Sequence, residues 1–209
     1  MGNNADGATL QGNAPVYSEE KADNHAPVQS DRRWRCFAAD RAKSDPKEKL
    51  MTIYVGIGEL AASGEPGTVI KTLALGSCVA VAIFSKKQPV AGLIHVQLPE
   101  SSINKELAAK RPGAFADVGI PLLLAEMEKL GCKPADMVVK LAGGAQVMDP
   151  NSTFNIGKRN YLAVKKALWA NRLFPASEEV GGEISRTVTL TVGANDLLIH
   201  TPGYENRKI

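Results

Sequence analysis

The stretch that decides the fold reads Val79-Ala-Val-Ala-Ile-Phe84, then Ser85-Lys-Lys-Gln-Pro89, then Val90-Ala-Gly-Leu-Ile-His-Val-Gln-Leu98. Two apolar runs flank a short segment of lysine, glutamine and proline, which is the composition of a turn. A connection this short cannot hold a helical crossover, so the spacing predicts an antiparallel hairpin over residues 79–84 and 91–98. Alternation along the second strand puts Ile94, Val96 and Leu98 on one face and Leu93, His95 and Gln97 on the other. The first face suits a core, which leaves His95 directed to a cleft.

Upstream, Ile53, Tyr54, Val55 and Ile57 form one apolar run and residues 68–75 another, with the turn formers Ser63, Gly64, Pro66 and Gly67 between them. They read as two strands with a tight connection. Downstream, residues 101–113 are polar and read as a loop or short helix. Phe115, Val118, Leu122, Leu123, Met127 and Leu130 then recur at helical spacing, and Gly131 stands where a helix C-cap belongs. Pro121 either kinks that helix or marks its first turn. Residues 137–141 form a further strand running into Gly143-Gly144, whose glycines serve a turn. Tyr161, Val164, Ala167 and Leu168 line a second amphipathic helix, followed by short strands around 176–180, 187–192 and 197–200. Strands outnumber helices and several connections are too short for crossovers. The expected fold is α+β, a layered sandwich of mixed β-sheets flanked by helices.

The chain has 209 residues, 44% of them hydrophobic, enough for one domain with its own core and short for two. Residues 1–50 lack aliphatic periodicity and balance acidic against basic side chains, so they read as a disordered extension ahead of a catalytic domain over 51–209. Their one apolar island is Trp34 with Cys36 and Phe37. A net charge of +3 argues against nucleic acid as a partner, which calls for a concentrated basic face. Three cysteines, Cys36, Cys78 and Cys132, fit neither a disulfide framework nor a paired zinc site, so a reducing cytoplasm is expected. Insertion into a membrane is not expected, because no run is long and apolar enough.

The chemistry concentrates in Thr72-Leu-Ala-Leu-Gly-Ser-Cys78 and in His95. In the predicted hairpin Cys78 and His95 can face each other. A thiol with a free pKa of about 8.5 needs a neighbouring base to react near neutral pH, and an imidazole supplies it. Gly76 and Ser77 permit a tight bend whose backbone N–H groups could face a developing oxyanion. The Thr72 hydroxyl could hold the imidazole in orientation, as an Asp or Asn does in other triads. Taken singly, a cysteine in an apolar run is more often a small buried hydrophobe, which is the reading given to Cys132, and a histidine in a strand is more often a packing residue. The combination is what points to catalysis. His200 lacks a local ligand partner, so no metal site is expected, and the chemistry needs no cofactor.

The order of these features resembles the chemoreceptor glutamine deamidase family, CheD. Val55-Gly-Ile-Gly-Glu59, Thr72-Leu-Ala-Leu-Gly-Ser-Cys-Val-Ala-Val81 and Ile94-His-Val-Gln-Leu-Pro99 carry the first half. Phe115-Ala-Asp117, Leu141-Ala-Gly-Gly-Ala145, Asn155-Ile-Gly-Lys-Arg-Asn160, Glu178-Glu-Val-Gly-Gly182 and Arg186 carry the second. The resemblance implies a cysteine hydrolase that converts receptor glutamines to glutamates through a thioester, with Cys78 as nucleophile, His95 as general base and Thr72 as third member. It also implies a fold similar to deamidating toxins, and chemoreceptor cytoplasmic regions and a CheC-type phosphatase as partners. Three rival readings are a binding module without turnover, a thiol protease or amidase, and a receptor glutamate methylesterase. Ala74 departs from a position where the family often has glycine, and Gln97 from one where it often has methionine.

Overall fold

The computed structural model describes residues 51–147 and 155–209. The expected extension over 1–50, with Trp34, Cys36 and Phe37, lies outside the described residues. In chain order the elements are β1 (Thr52–Tyr54), β2 (Leu60–Ser63), β3 (Val69–Leu75), β4 (Val79–Ser85), β5 (Ala91–Val96), α1 (Lys105–Lys110), α2 (Ala116–Lys129), β6 (Met137–Gly143), α3 (Ile156–Ala170), β7 (Pro175–Val180), β8 (Arg186–Thr191), β9 (Leu197–His200) and β10 (Arg207–Lys208).

The strands form two five-stranded mixed sheets, ordered β2-β5-β4-β6-β7 and β1-β3-β8-β9-β10. The hairpin read from the sequence is the centre of the first sheet: β4 and β5 pair antiparallel, with Val81 opposite Ile94 and Ala80 opposite His95. The upstream segment differs from its expectation. β1 and β3 do share a sheet, but they run parallel, with Ile53 opposite Ile70. Between them the chain crosses to the other sheet as β2, antiparallel to β5. A four-residue strand built on Ala61 and Ala62 carries little of the bulky β-branched signal that marks a strand in sequence.

The central strands β4 and β5 are buried along their whole length because both faces of the first sheet are covered. On one face Val79, Val81, Ile83, Ile94 and Val96 pack with Ile120, Leu123 and Met127 of α2 and Val164 and Leu168 of α3. On the other, Ala80, Ala82, Leu93 and Ala142 meet Ile70, Leu75, Val188, Leu190 and Ile199 of the second sheet. The described residues thus stack as helices, sheet and sheet. The face expected to open His95 to a cleft is itself core, since the second sheet lies over it, and His95 is only 2% exposed.

The polar stretch after β5 does form a short helix, α1, whose N-cap Asn104 accepts from the backbone N–H of Leu107 at 2.9 Å. Pro121 lies inside α2, past its first turn, and Gly131 follows its end with a φ of 85°. No helix among the described residues is long and apolar enough to cross a membrane.

Candidate active site

Three elements bring the residues singled out in the sequence to one end of the space between the sheets. β5 supplies His95, opposite Ala80 of β4. Side chains two apart along a strand share a face, so Cys78, just ahead of β4, falls on the face of Ala80 and His95 as a diagonal neighbour. Cys78 packs against the inter-sheet core, in agreement with that register. Thr72 comes from β3 of the opposite sheet and is fully buried.

A bulge in β3 makes the position of Thr72 possible. Thr72 pairs with Val188 and Leu75 with Arg186, so three steps along β3 match two along β8. Strict alternation would turn Thr72 and Leu75 to opposite faces. The extra residue lets both point inward while Leu73 and Ala74 stay exposed. Ala74 takes up the distortion with a φ of 52°, in the left-handed region that glycine occupies at little cost. The alanine noted in the sequence as standing in place of a glycine is therefore at a strained position.

The hydrogen bonds fix the tautomer of His95. Thr72 Oγ1 donates its single proton to the Val55 carbonyl at 2.7 Å and lies 2.7 Å from His95 Nδ1. With that proton committed, the hydroxyl can only accept from the ring, so Nδ1 carries the hydrogen. His95 Nε2 is left as a buried lone pair without a partner among the described residues. Burial pulls the imidazole pKa down from 6.5 to about 4, and the carboxylate of Glu59 opposes this only in part. Glu59 is tied to the same place through its backbone: the His95 N–H donates to the Glu59 carbonyl at 3.0 Å. Burial also raises the Cys78 thiol above its usual value. Desolvation thus favours an uncharged thiol and an uncharged imidazole at neutral pH over a resting ion pair.

The Gly76–Cys78 loop is held by its carbonyls. Ala145 N–H donates to the Gly76 carbonyl at 2.8 Å, Asn160 Nδ2 to that of Ser77 at 2.9 Å, and Gly144 N–H to that of Cys78 at 2.7 Å. The N–H groups of Gly76, Ser77 and Cys78 donate to no protein acceptor among the described residues. Gly143 allows the close approach: a Cβ there would sit 2.3 Å from the Cys78 carbonyl oxygen. The sequence reads Gly143-Gly144 as a turn and, by resemblance, as a candidate rim of a groove, not as a support of the Cys78 carbonyl. Asn160 stands out in the sequence only within a family motif and as a candidate groove rim, not as a support of the nucleophile loop, although Gly157, Asn160, Val164, Ala167 and Leu168 form the buried stripe of α3 and an asparagine breaks its apolar character.

A cavity of about 160 Å³ opens beside His95, walled by Tyr54, Val55, Gly56, Ile57 and Leu73. A larger hollow of about 300 Å³ lies beyond the Gly143-Gly144 turn, between Gln146, Lys158, Tyr161 and Gly182, and includes neither Cys78 nor His95. Cys132 is buried in the helix-side core. His200 pairs with the side chain of Asn206 at 2.8 Å, and no group of three or more His, Cys, Asp or Glu among the described residues is arranged to hold a metal ion. A thiol, an imidazole with a basic nitrogen, loop N–H groups that have no acceptor among the described residues and a small cavity together match the requirements of acyl transfer through sulfur.

Comparison with known proteins identifies the family. A family model described as CheD chemotactic sensory transduction matches residues 97–201, a span beginning C-terminal to Cys78 and His95. A protein of Syntrophotalea carbinolica described as a probable chemoreceptor glutamine deamidase CheD is 50% identical over 156 residues, covering 74% of this chain and 96% of that protein. Similarly described proteins of Syntrophus aciditrophicus and Anaeromyxobacter dehalogenans are 38% and 41% identical, covering 75% and 73% of this chain and 98% and 96% of their own. With half of its aligned residues shared across nearly the whole of one relative, the chain belongs to the CheD family.

Proposed function

We propose that this protein deamidates glutamine side chains of chemoreceptors, with Cys78 as nucleophile, His95 as general base and Thr72 as the residue that orients the imidazole. The observation that carries the reading is the Thr72 hydroxyl between the Val55 carbonyl and His95 Nδ1, which leaves Nε2 free on the face that Cys78 shares. The descriptions of the relatives supply the substrate class.

In this mechanism a glutamine side chain enters the cavity beside His95. Nε2 takes the thiol proton as Sγ attacks the amide carbon, so the thiolate forms only as it reacts. The developing oxyanion is stabilised by backbone N–H groups of the Gly76–Cys78 loop, chiefly at Ser77 and Cys78. The tetrahedral adduct collapses, the C–N bond breaks, and the imidazolium gives its proton to the departing nitrogen, which leaves as ammonia. His95 then accepts a proton from water as its oxygen attacks the thioester. The C–S bond breaks, glutamate is released and the thiol is restored. No metal or organic cofactor takes part in these steps.

The substrate region is then the cytoplasmic part of a receptor, and the protein works in the cytoplasm. A CheC-type phosphatase is the proposed regulator, and the layered fold is proposed to be of the kind found in deamidating toxins. Intact-mass measurement of a cognate receptor's cytoplasmic region tests the activity. Wild type should produce the mass gain of Gln-to-Glu conversion, while Cys78→Ala should lose about 10³-fold or more in rate and Cys132→Ser should stay active. An unchanged receptor mass with wild type, or conversion by Cys78→Ala at the wild-type rate, sinks the proposal.

A further inference from the structure

Asn160 is fully buried in the first half of α3, and its Nδ2 group donates twice: to the Ser77 carbonyl at 2.9 Å and to the Gln97 carbonyl at 2.8 Å. Ser77 immediately precedes Cys78, and Gln97 lies two residues beyond His95. We propose that Asn160 is a positioning residue that clamps the nucleophile loop to the strand carrying the base, setting the distance and angle between Cys78 and His95. The role rests on the functional reading above.

Two observations separate this from ordinary packing. First, both acceptors are carbonyls, so the amide must present its NH2 group to them, and Oδ1 is left buried without a partner among the described residues. A buried unpaired acceptor is destabilising, and an apolar residue would avoid that cost only by taking the donor from the Ser77 and Gln97 carbonyls. A packing role gives no reason to keep the amide, whereas a side chain with two donors can join two carbonyls. Second, the helix that carries Asn160 is held against the loop's other supports. A Cβ on Gly157 would stand 2.3 Å from the Gly144 carbonyl oxygen, so α3 reaches this depth only because residue 157 is glycine. Gly144 and Ala145 donate to the carbonyls of Cys78 and Gly76. Helix, glycine turn and nucleophile loop are therefore joined at successive backbone groups, and Asn160 alone among these supports also holds the strand of His95.

The test compares Asn160→Ala, Asn160→Asp and Asn160→Ser with wild type in three readouts: thermal unfolding, kcat and KM for receptor deamidation, and the pH profile of Cys78 alkylation by iodoacetamide. Loss of the clamp should lower kcat about 10²-fold with KM nearly unchanged, since small misplacement of reacting groups costs that much. The alkylation midpoint should move down toward the free thiol value of about 8.5 as the loop opens to water. Asp, which is isosteric but turns acceptors toward both carbonyls, should be at least as damaging as Ala, and Ser, with one donor, should fall between. A folded Ala or Asp variant with wild-type kcat and alkylation profile overturns the proposal. Should those two fail to fold, the Ser variant decides on the same readouts. If wild type itself does not deamidate, the functional reading fails, and the alkylation profiles still report whether Asn160 holds the loop.

Discussion

The two faces of the β2-β5-β4-β6-β7 sheet do different work with the same strands. The helix-covered face carries Val79, Val81, Ile83, Ile94 and Val96, branched side chains that interlock with Ile120, Leu123 and Met127. The face toward the second sheet carries Ala80, Ala82, Ala91 and Ala142 beside the larger Phe84 and Leu93, with His95 and Thr72 buried at one end. Large residues on one side provide the apolar burial that makes the sheet stable. Small residues on the other leave room for a hydrogen-bonded polar pair that apolar packing alone would not tolerate. Burial is nearly complete on both, so the difference lies in what the burial serves.

The comparison can be broken first on the helix side. Leu123→Ala should cost about 2–5 kcal/mol in denaturant unfolding, because the site is fully buried and its neighbours are already packed, while kcat of the remaining folded protein stays at the wild-type value. A large fall in kcat would mean that the two faces are not separable.

A second measurement sharpens the contrast through pH. The folded-state pKa of His95 lies near 4, below its ordinary 6.5, so between these values the unfolded chain binds the proton more readily than the folded one. Stability from this group is fully present above about 6.5 and is lost as pH falls toward 4, by an amount on the order of 3 kcal/mol. His95→Gln should flatten the slope of unfolding free energy between pH 6.5 and 4 relative to wild type. An unchanged slope would remove His95 as the acid-sensitive point of the inter-sheet face.

The smallest effect is expected at the bulge. Ala74→Gly should stabilise the protein by about 1 kcal/mol, because the residue already holds a φ of 52° that an alanine side chain opposes. No gain in melting temperature would mean that the bulge carries no strain.

Much of this arrangement was legible in the sequence because it rests on long periodic runs. The hairpin over 79–84 and 91–98 and the helix ending before Gly131 follow from apolar spacing, and Thr72, Cys78 and His95 stand out by residue type and order. What escaped depends on long-range pairing. β2 is four residues with two alanines, and its paired positions in β5 lie 28 to 34 residues away. Nothing local shows that β3 belongs to a second sheet, so the face of His95 read as open when it is covered. The bulge at Ala74 exists only relative to β8. Asn160 offered a cue, a polar residue on an apolar helical stripe, but its partners lie 83 and 63 positions away.

The chain of Nδ1–H to hydroxyl to carbonyl has a consequence for how charge would be accommodated. A carboxylate in the place of Thr72 would neutralise a protonated ring; here three neutral dipoles polarise in series and pass part of the charge to the peptide at Val55. Proton uptake at Nε2 therefore requires no heavy atom to relocate, and the ring sheds that proton more readily than one paired with a fixed anion. A relay built this way is suited to handing a proton on rather than storing it.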